Sequence, residues 1–160
     1  METEIDVLTE ELIRFHKSLI DEKTFFGDLW NEESFPDKSL WENLKRLFKE
    51  LKLHIYKEEK ILFPYLINLS KAFRKEIPFE RPYFESVNNP IEIMKSDHEL
   101  IFENLNQIKM SISGRNFNSN EERQILKKLK EFVDEVESIV YLENKILFPR
   151  AIQIEKSLLK

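Results

Sequence analysis

The chain has 160 residues, 41% of them hydrophobic and 34% charged, with a formal net charge of −5, no Cys, two Gly and three His. That length suits one domain with its own core, taken as residues 1–160. The lack of Cys excludes disulfides, thiolate zinc sites, cysteine-ligated clusters and thiol nucleophiles, two glycines cannot build a phosphate-cradling loop, and the acidic balance argues against a nucleic-acid partner.

The expected elements are helical throughout. Leu8, Leu12, Phe15 and Leu19 form the apolar stripe of a first helix, and His16 lies on it. A second helix starts near Asp37, with Asp37 or Ser39 as its cap, and carries Leu40, Leu44, Leu47, Leu51, His54, Glu58 and Ile61 on one face. The connector from Ser70 to Asn89 contains Pro78, Pro82 and four aromatics (Phe73, Phe79, Tyr83, Phe84), which predicts an ordered crossover packed against the helices. A third helix opens at Asn89-Pro90, follows Ile91, Met94, His98, Ile101, Leu105 and Ile108, and stops at Gly114. The fourth begins at the capping box Ser119-Asn-Glu-Glu122 and continues through Ile125, Leu129, Phe132, Val136, Ile139, Glu143 and Ile146. Four such segments predict an all-α protein, an antiparallel four-helix bundle. No apolar run is long enough for a membrane span, and the start Met1-Glu-Thr-Glu-Ile-Asp is acidic where a secretion signal is basic, so a cytoplasmic location is expected.

The chain also repeats itself. The segment from Leu53 to Ile67 aligns without gaps with Ser138 to Ile152, and eight of the fifteen positions are identical: Tyr56/Tyr141, Glu58/Glu143, Lys60/Lys145, Ile61/Ile146, Leu62/Leu147, Phe63/Phe148, Pro64/Pro149 and Ile67/Ile152. His16 and His98 match more weakly on the partner helices, which predicts two helical hairpins related by a pseudo-twofold axis. Pro64 and Pro149 each remove a helical hydrogen bond and are expected to kink their helices just beyond this segment.

The repeat places chemistry as well as fold. His54 and Glu58 are four apart and share the apolar face, and Glu143 occupies the Glu58 position of the second copy. A carboxylate on a core seam is costly unless a cation compensates it, and helical bundles meet that need with inward Glu and His around metal ions. One histidine on an apolar stripe is more often a core residue than a ligand. Here all three histidines fall on such stripes and two repeat-related glutamates join them. Metal binding through His16, His54, Glu58, His98 and Glu143 follows, and an imidazole and carboxylate set suits iron, manganese or zinc.

Arg14-Phe-His16, His54-x-x-x-Glu58-Glu-x-Ile-Leu-Phe-Pro64, Pro90-Ile-x-x-Met94-x-x-x-His98 and Leu142-Glu-Asn-x-x-Leu-Phe-Pro-Arg-Ala151 together resemble the hemerythrin-like (HHE cation-binding) family, and most closely its repair-of-iron-centres di-iron proteins. The resemblance implies a hemerythrin-like bundle with Glu58 and Glu143 bridging two irons and His16, His54 and His98 as terminal ligands. It also implies a role in iron–sulfur cluster repair under nitrosative or oxidative stress, with iron–sulfur proteins as partners and O2 or NO as small ligands. The family pattern departs at Ile139, where a histidine is expected, and after the first helix, where Trp30, Asn31, Glu32 and Glu33 stand in place of another. The ligand set is thus incomplete and allows two irons or one, with water, Tyr56, Tyr141, Glu99 or Glu135 as candidates to fill the gap. Two alternatives stand beside this reading: an O2 or NO sensor or carrier, and a metal-free bundle serving protein–protein contact. No catalytic residue is assigned, and a metal-binding or repair protein fits better than a classical enzyme.

Overall fold

The computed structural model describes residues 3–160; Met1 and Glu2, which begin the acidic start, lie outside the described residues. The described chain is helical and contains no strand. Its helices are α1 (Ile5–Leu19), α2 (Glu22–Phe26), α3 (Lys38–Lys57), α4 (Phe63–Phe73), α5 (Asn88–Ile112), α6 (Asn120–Leu142) and α7 (Phe148–Leu158). Helix α3 packs on α5, α1 on α4, and α4 on α7. Among the described residues no helix is long and apolar enough to cross a membrane.

Local chemistry fixes the helix ends. The Asp37 carboxylate accepts the Leu40 N–H at 2.6 Å, which selects Asp37 over Ser39 as the cap of α3. Ser119 accepts the Glu122 N–H at 3.0 Å, while the Glu122 carboxylate returns to the Asn118 N–H, one residue earlier than a capping box places it. Helix α5 ends at Ile112, and Gly114 follows with φ +74°, the left-handed conformation that glycine adopts without strain. Its start departs from the sequence reading. Helix α5 begins at Asn88, and the N–H of Val87 is satisfied by the buried Glu155 carboxylate of α7 at 2.9 Å. Glu155 also accepts from Tyr65 Oη at 2.6 Å and Ser86 Oγ at 2.9 Å, tying the crossover to α4 and α7. Of the crossover aromatics, Phe79 packs on the core and Phe84 meets Tyr65 edge-on at 5.2 Å, whereas Phe73 and Tyr83 are exposed.

Both repeated Leu-Phe-Pro segments adopt one backbone. Residues Glu58–Leu62 and Glu143–Leu147 form π-helical turns, joining α3 to α4 and α6 to α7. The Phe63 N–H donates to the Glu58 carbonyl and the Phe148 N–H to the Glu143 carbonyl, each five residues back. A proline in a regular helix collides with the carbonyl four residues before it; the widened turn accommodates Pro64 and Pro149 with the helix continuing beyond. The distortion expected beyond the site therefore starts on its two glutamates. One extra residue per turn also advances the apolar face. Leu62-Phe63 and Leu147-Phe148 are buried, and Ile61 and Ile146, expected on the core stripe, are exposed. Phe15 is another correction: His16 takes the inward place and leaves Phe15 52% exposed.

The buried side chains divide into two apolar clusters. One gathers Leu44, Phe48, Leu51, Ile101, Leu105, Phe132 and Val136 with the aromatics after α1. The other gathers Leu12, Leu62, Phe63, Leu66, Met94, Leu147 and Phe148. Along α1, α3, α5 and α6 the chain passes from one cluster to the other at His16, His54–Glu58, His98 and Glu143, so these buried polar residues form a layer between two dry cores. Trp30, in the region where the family resemblance expects a further histidine, packs tilted or edge-on among Phe26, Phe35, Trp41 and Phe48 at the first cluster.

Candidate metal centre

Four of the five residues singled out from the sequence converge. Ligand-type atoms of His54, Glu58, His98 and Glu143 all lie within 4.8 Å of one another, and all four side chains are buried. The i, i+4 spacing at the end of α3 brings His54 Nε2 against Glu58 Oε1. His98 Nε2 lies 3.0 Å from His54 Nε2 and 3.0 Å from Glu143 Oε1. His16 stands apart from this group. Its Nδ1 faces Glu59 Oε1 at 3.7 Å, and its ring stacks on Phe63 at 5.7 Å.

Each imidazole is turned by a neighbour on its Nδ1 side. His54 Nδ1–H donates to Asp97 Oδ2 at 3.0 Å, and Asp97 is in turn held by Lys57 Nζ at 2.6 Å. His98 Nδ1–H donates to Asn144 Oδ1 at 2.8 Å. The inward Nε2 atoms of both rings are thereby aimed at the carboxylates, the arrangement that metal-binding histidines require. The stacking follows the repeat: His98 lies parallel to Phe148 at 6.0 Å, as His16 does to Phe63.

Asp97, Asn144 and Glu59 were not singled out from the sequence. Asn144 and Glu59 each follow a repeated glutamate, so the alignment held a signal for them; Asp97 precedes His98 and has no counterpart, since Phe15 precedes His16. Of the groups proposed to complete the ligand set, Tyr56, Tyr141 and Glu99 are exposed and do not enter the buried layer. Glu135 is exposed too, on the wall of a cavity of about 370 Å³ that it shares with Phe15, Ser18, Ser138, Ile139 and Leu142.

Two buried carboxyls and three imidazoles, packed between apolar clusters, set the electrostatics of this layer. Both Glu58 oxygens and Glu143 Oε2 are buried with no hydrogen-bond partner among the described residues, as is His16 Nδ1. Burial raises the Glu58 carboxyl far above its ordinary range, and the neighbouring Glu143 charge adds to this. Burial acts the same way on Glu143, but the neighbouring Glu58, His54 and His98 side chains outweigh it and hold this carboxyl below its ordinary range. His54 would be depressed by burial; the Glu58 and Glu143 carboxylates instead push it up to about 11. Burial holds His16 below the ordinary imidazole value against the pull of Glu143 and Glu59. Buried carboxylates with three oxygens outside any hydrogen bond, beside two oriented imidazoles, fit a divalent cation of the iron, manganese or zinc class.

Comparison with known proteins agrees with this geometry. The chain is similar to iron-sulfur cluster repair protein YtfE of Yersinia pestis (strain Pestoides F), with 27% identity over 121 residues that cover 74% of this chain and 49% of the relative. The protein of the same name from Yersinia pseudotuberculosis serotype O:1b (strain IP 31758) matches over the same extent at 27% identity. The chain thus spans about half the length of the curated relatives it matches. Residues 7–151 match the model of the hemerythrin HHE cation binding domain, which takes in the whole polar layer and both Leu-Phe-Pro turns, and the chain belongs to that family.

Proposed function

We propose that residues 1–160 form one hemerythrin-like domain, an antiparallel four-helix bundle of two pseudo-twofold-related hairpins, that holds non-haem iron and serves the repair of iron–sulfur proteins in the cytoplasm. The observation that carries the metal reading is the convergence of His54, Glu58, His98 and Glu143 with three carboxylate oxygens outside any hydrogen bond between two apolar cores. The repair role is supported by the relatives' printed name, iron-sulfur cluster repair protein.

The residues divide unequally between two metal positions. His54 and His98, with oxygens from Glu58 and Glu143, provide a complete set for one ion. A second ion would draw on His16 and the remaining carboxylate oxygens, and Ile139 offers it nothing. Iron held by these residues would supply redox chemistry and affinity for small ligands such as O2 or NO. The chain's own part is to exclude bulk water with its two cores, to aim the Nε2 atoms of His54 and His98, and to release the protons of Glu58 and His54 as the cation arrives. A weakly held second ion suits a protein that hands iron on better than one that stores O2.

Metal analysis of anaerobically purified protein tests this. One iron per chain resistant to a chelator, a second removed by it, and loss of both in His54→Ala are the expected results. Ile139→His should make the second ion resistant as well. Protein that takes up no added iron, and whose melting temperature no metal changes, supports the metal-free interaction bundle instead.

A further inference from the structure

The two copies of the repeat differ around one position, and the difference extends beyond the ligand itself. On the His54 side, a cavity of about 110 Å³ is bordered by Glu50, Leu53, Lys57, Asp97 and Leu100. On the Ile139 side, the residues at matching places in the repeat are Glu135, Ser138, Leu142, Phe15 and Ser18, and they border the larger cavity of about 370 Å³. The His54–Asp97–Lys57 chain is thus replaced by Ile139, Phe15 and Leu142, with no hydrogen-bonding group at any of the three side chains. Asp97 reaches from α5 to the His54 ring on α3, so its contact crosses between helices.

We propose that Asp97 is the positioning residue of the metal centre, a role that rests on the metal-binding reading above: its carboxylate holds the Nδ1–H of His54 and so presents Nε2 to the ion. His54 Nδ1 has Asp97 as its partner at 3.0 Å, and Lys57, at 2.6 Å from the same oxygen, keeps that carboxylate charged and in place. A carboxylate behind a ligating imidazole fixes the ring's tautomer and orientation and makes the ligand more basic. Asp97 touches no other member of the four-residue cluster in the hydrogen-bond network, so it acts through His54 alone. The same reasoning identifies a second deficiency in the other half: a histidine restored at position 139 would have Phe15 at the place where His54 has Asp97.

Zinc is a suitable probe because it takes the same donors without redox chemistry. Metal-free wild-type protein, Asp97→Asn and Asp97→Leu are titrated with Zn²⁺ against a competing chelator, and Co²⁺ spectra are recorded on each. Asp97→Leu should weaken the first zinc by about ten- to a hundredfold and alter the Co²⁺ ligand-field bands. Asp97→Asn, whose Oδ1 still accepts the Nδ1–H, should lose less. Unfolding of the metal-free variants separates this role from simple loss of the fold.

The converse test adds function. Ile139→His/Phe15→Asp should bind its second zinc about tenfold tighter than Ile139→His alone, and this arm remains decisive if Asp97→Leu fails to fold. Wild-type protein that binds zinc as tightly as folded Asp97→Leu overturns the positioning role and leaves the metal reading intact. A double variant no tighter than Ile139→His does the same. Wild-type protein that binds neither zinc nor cobalt overturns the metal reading, and the positioning role falls with it.

Discussion

The two Leu-Phe-Pro segments form a natural comparison within one molecule. Both enter a π turn on a buried glutamate, both bury Leu-Phe ahead of an exposed proline, and both stack that phenylalanine on a histidine from another helix. They part company one turn earlier, where α3 carries His54 and α6 carries Ile139. What the copies share is backbone and packing; what they do not share is an inward imidazole and the groups behind it. The fold is therefore carried by proline, phenylalanine and the inward glutamates, and it tolerates the loss of one imidazole.

If packing is the shared part, its disruption should be costly and symmetric. Phe63→Ala and Phe148→Ala each remove a fully buried ring, and each should cost about 3–5 kcal/mol, measured by denaturant unfolding of the metal-free protein. A pair of values differing by more than about 1.5 kcal/mol would show that the two turns are not energetically alike.

The two glutamates look equivalent in sequence, but their surroundings shift the two carboxyls in opposite directions, and this breaks the symmetry next. The Glu143 carboxyl is held below the ordinary carboxylate range and the Glu58 carboxyl well above it, with His54 beside both. Glu143→Gln leaves a buried cation short of its counter-charge and should cost about 3 kcal/mol at pH 7. Glu58→Gln puts a neutral amide where burial already favours the neutral carboxyl, and should change the metal-free stability by less than about 1 kcal/mol. Both should abolish stabilisation by added metal. Equal stability losses in the two variants would overturn the charge assignment.

The pH dependence separates the halves again. The His54 pKa in the fold is raised to about 11, so its contribution to stability is fully present below the unfolded value near 6.5 and is lost as pH rises toward 11. Between those limits the native state binds the extra proton, and the metal-free protein should lose up to about 1.4 kcal/mol per pH unit from this group. His54→Gln should flatten that slope, and Ile139→Gln should leave it unchanged. The check is a set of urea unfolding curves from pH 7 to 9.

Much of this was legible in the sequence because helical periodicity and a self-alignment report on burial directly. The inward set of His54, Glu58, His98 and Glu143, the cap at Asp37 and the stop at Gly114 are all local consequences of spacing and residue type. The exposed Ile61 and Ile146 were not legible, because a regular 3.6-residue count passes through the π turn and assigns the next residue to the wrong face. Nor was the capping of α5 by Glu155, a partner from the far end of the chain. Asp97 escaped for the same reason. Its role exists only once α5 lies beside α3, and nothing in its own neighbourhood marks it.

The smallest effect is expected at the residue that distinguishes the halves. Ile139 is half-buried, touches both apolar clusters and forms one wall of the cavity shared with Phe15 and Leu142. A fully buried isoleucine cut to alanine costs about 2–5 kcal/mol because a cavity opens in packed surroundings. Here a cavity already adjoins the side chain and part of it is exposed, so Ile139→Ala should cost only about 1 kcal/mol. His54→Ala, which strips a partner from buried Glu143 and from Asp97, should cost more in the metal-free protein even though it removes a polar group. That ordering can be read from paired unfolding curves. If Ile139→Ala proved the costlier of the two, Ile139 would be a core residue in its own right, and the second half of the layer would be a hydrophobic contact and not a metal position short of one ligand.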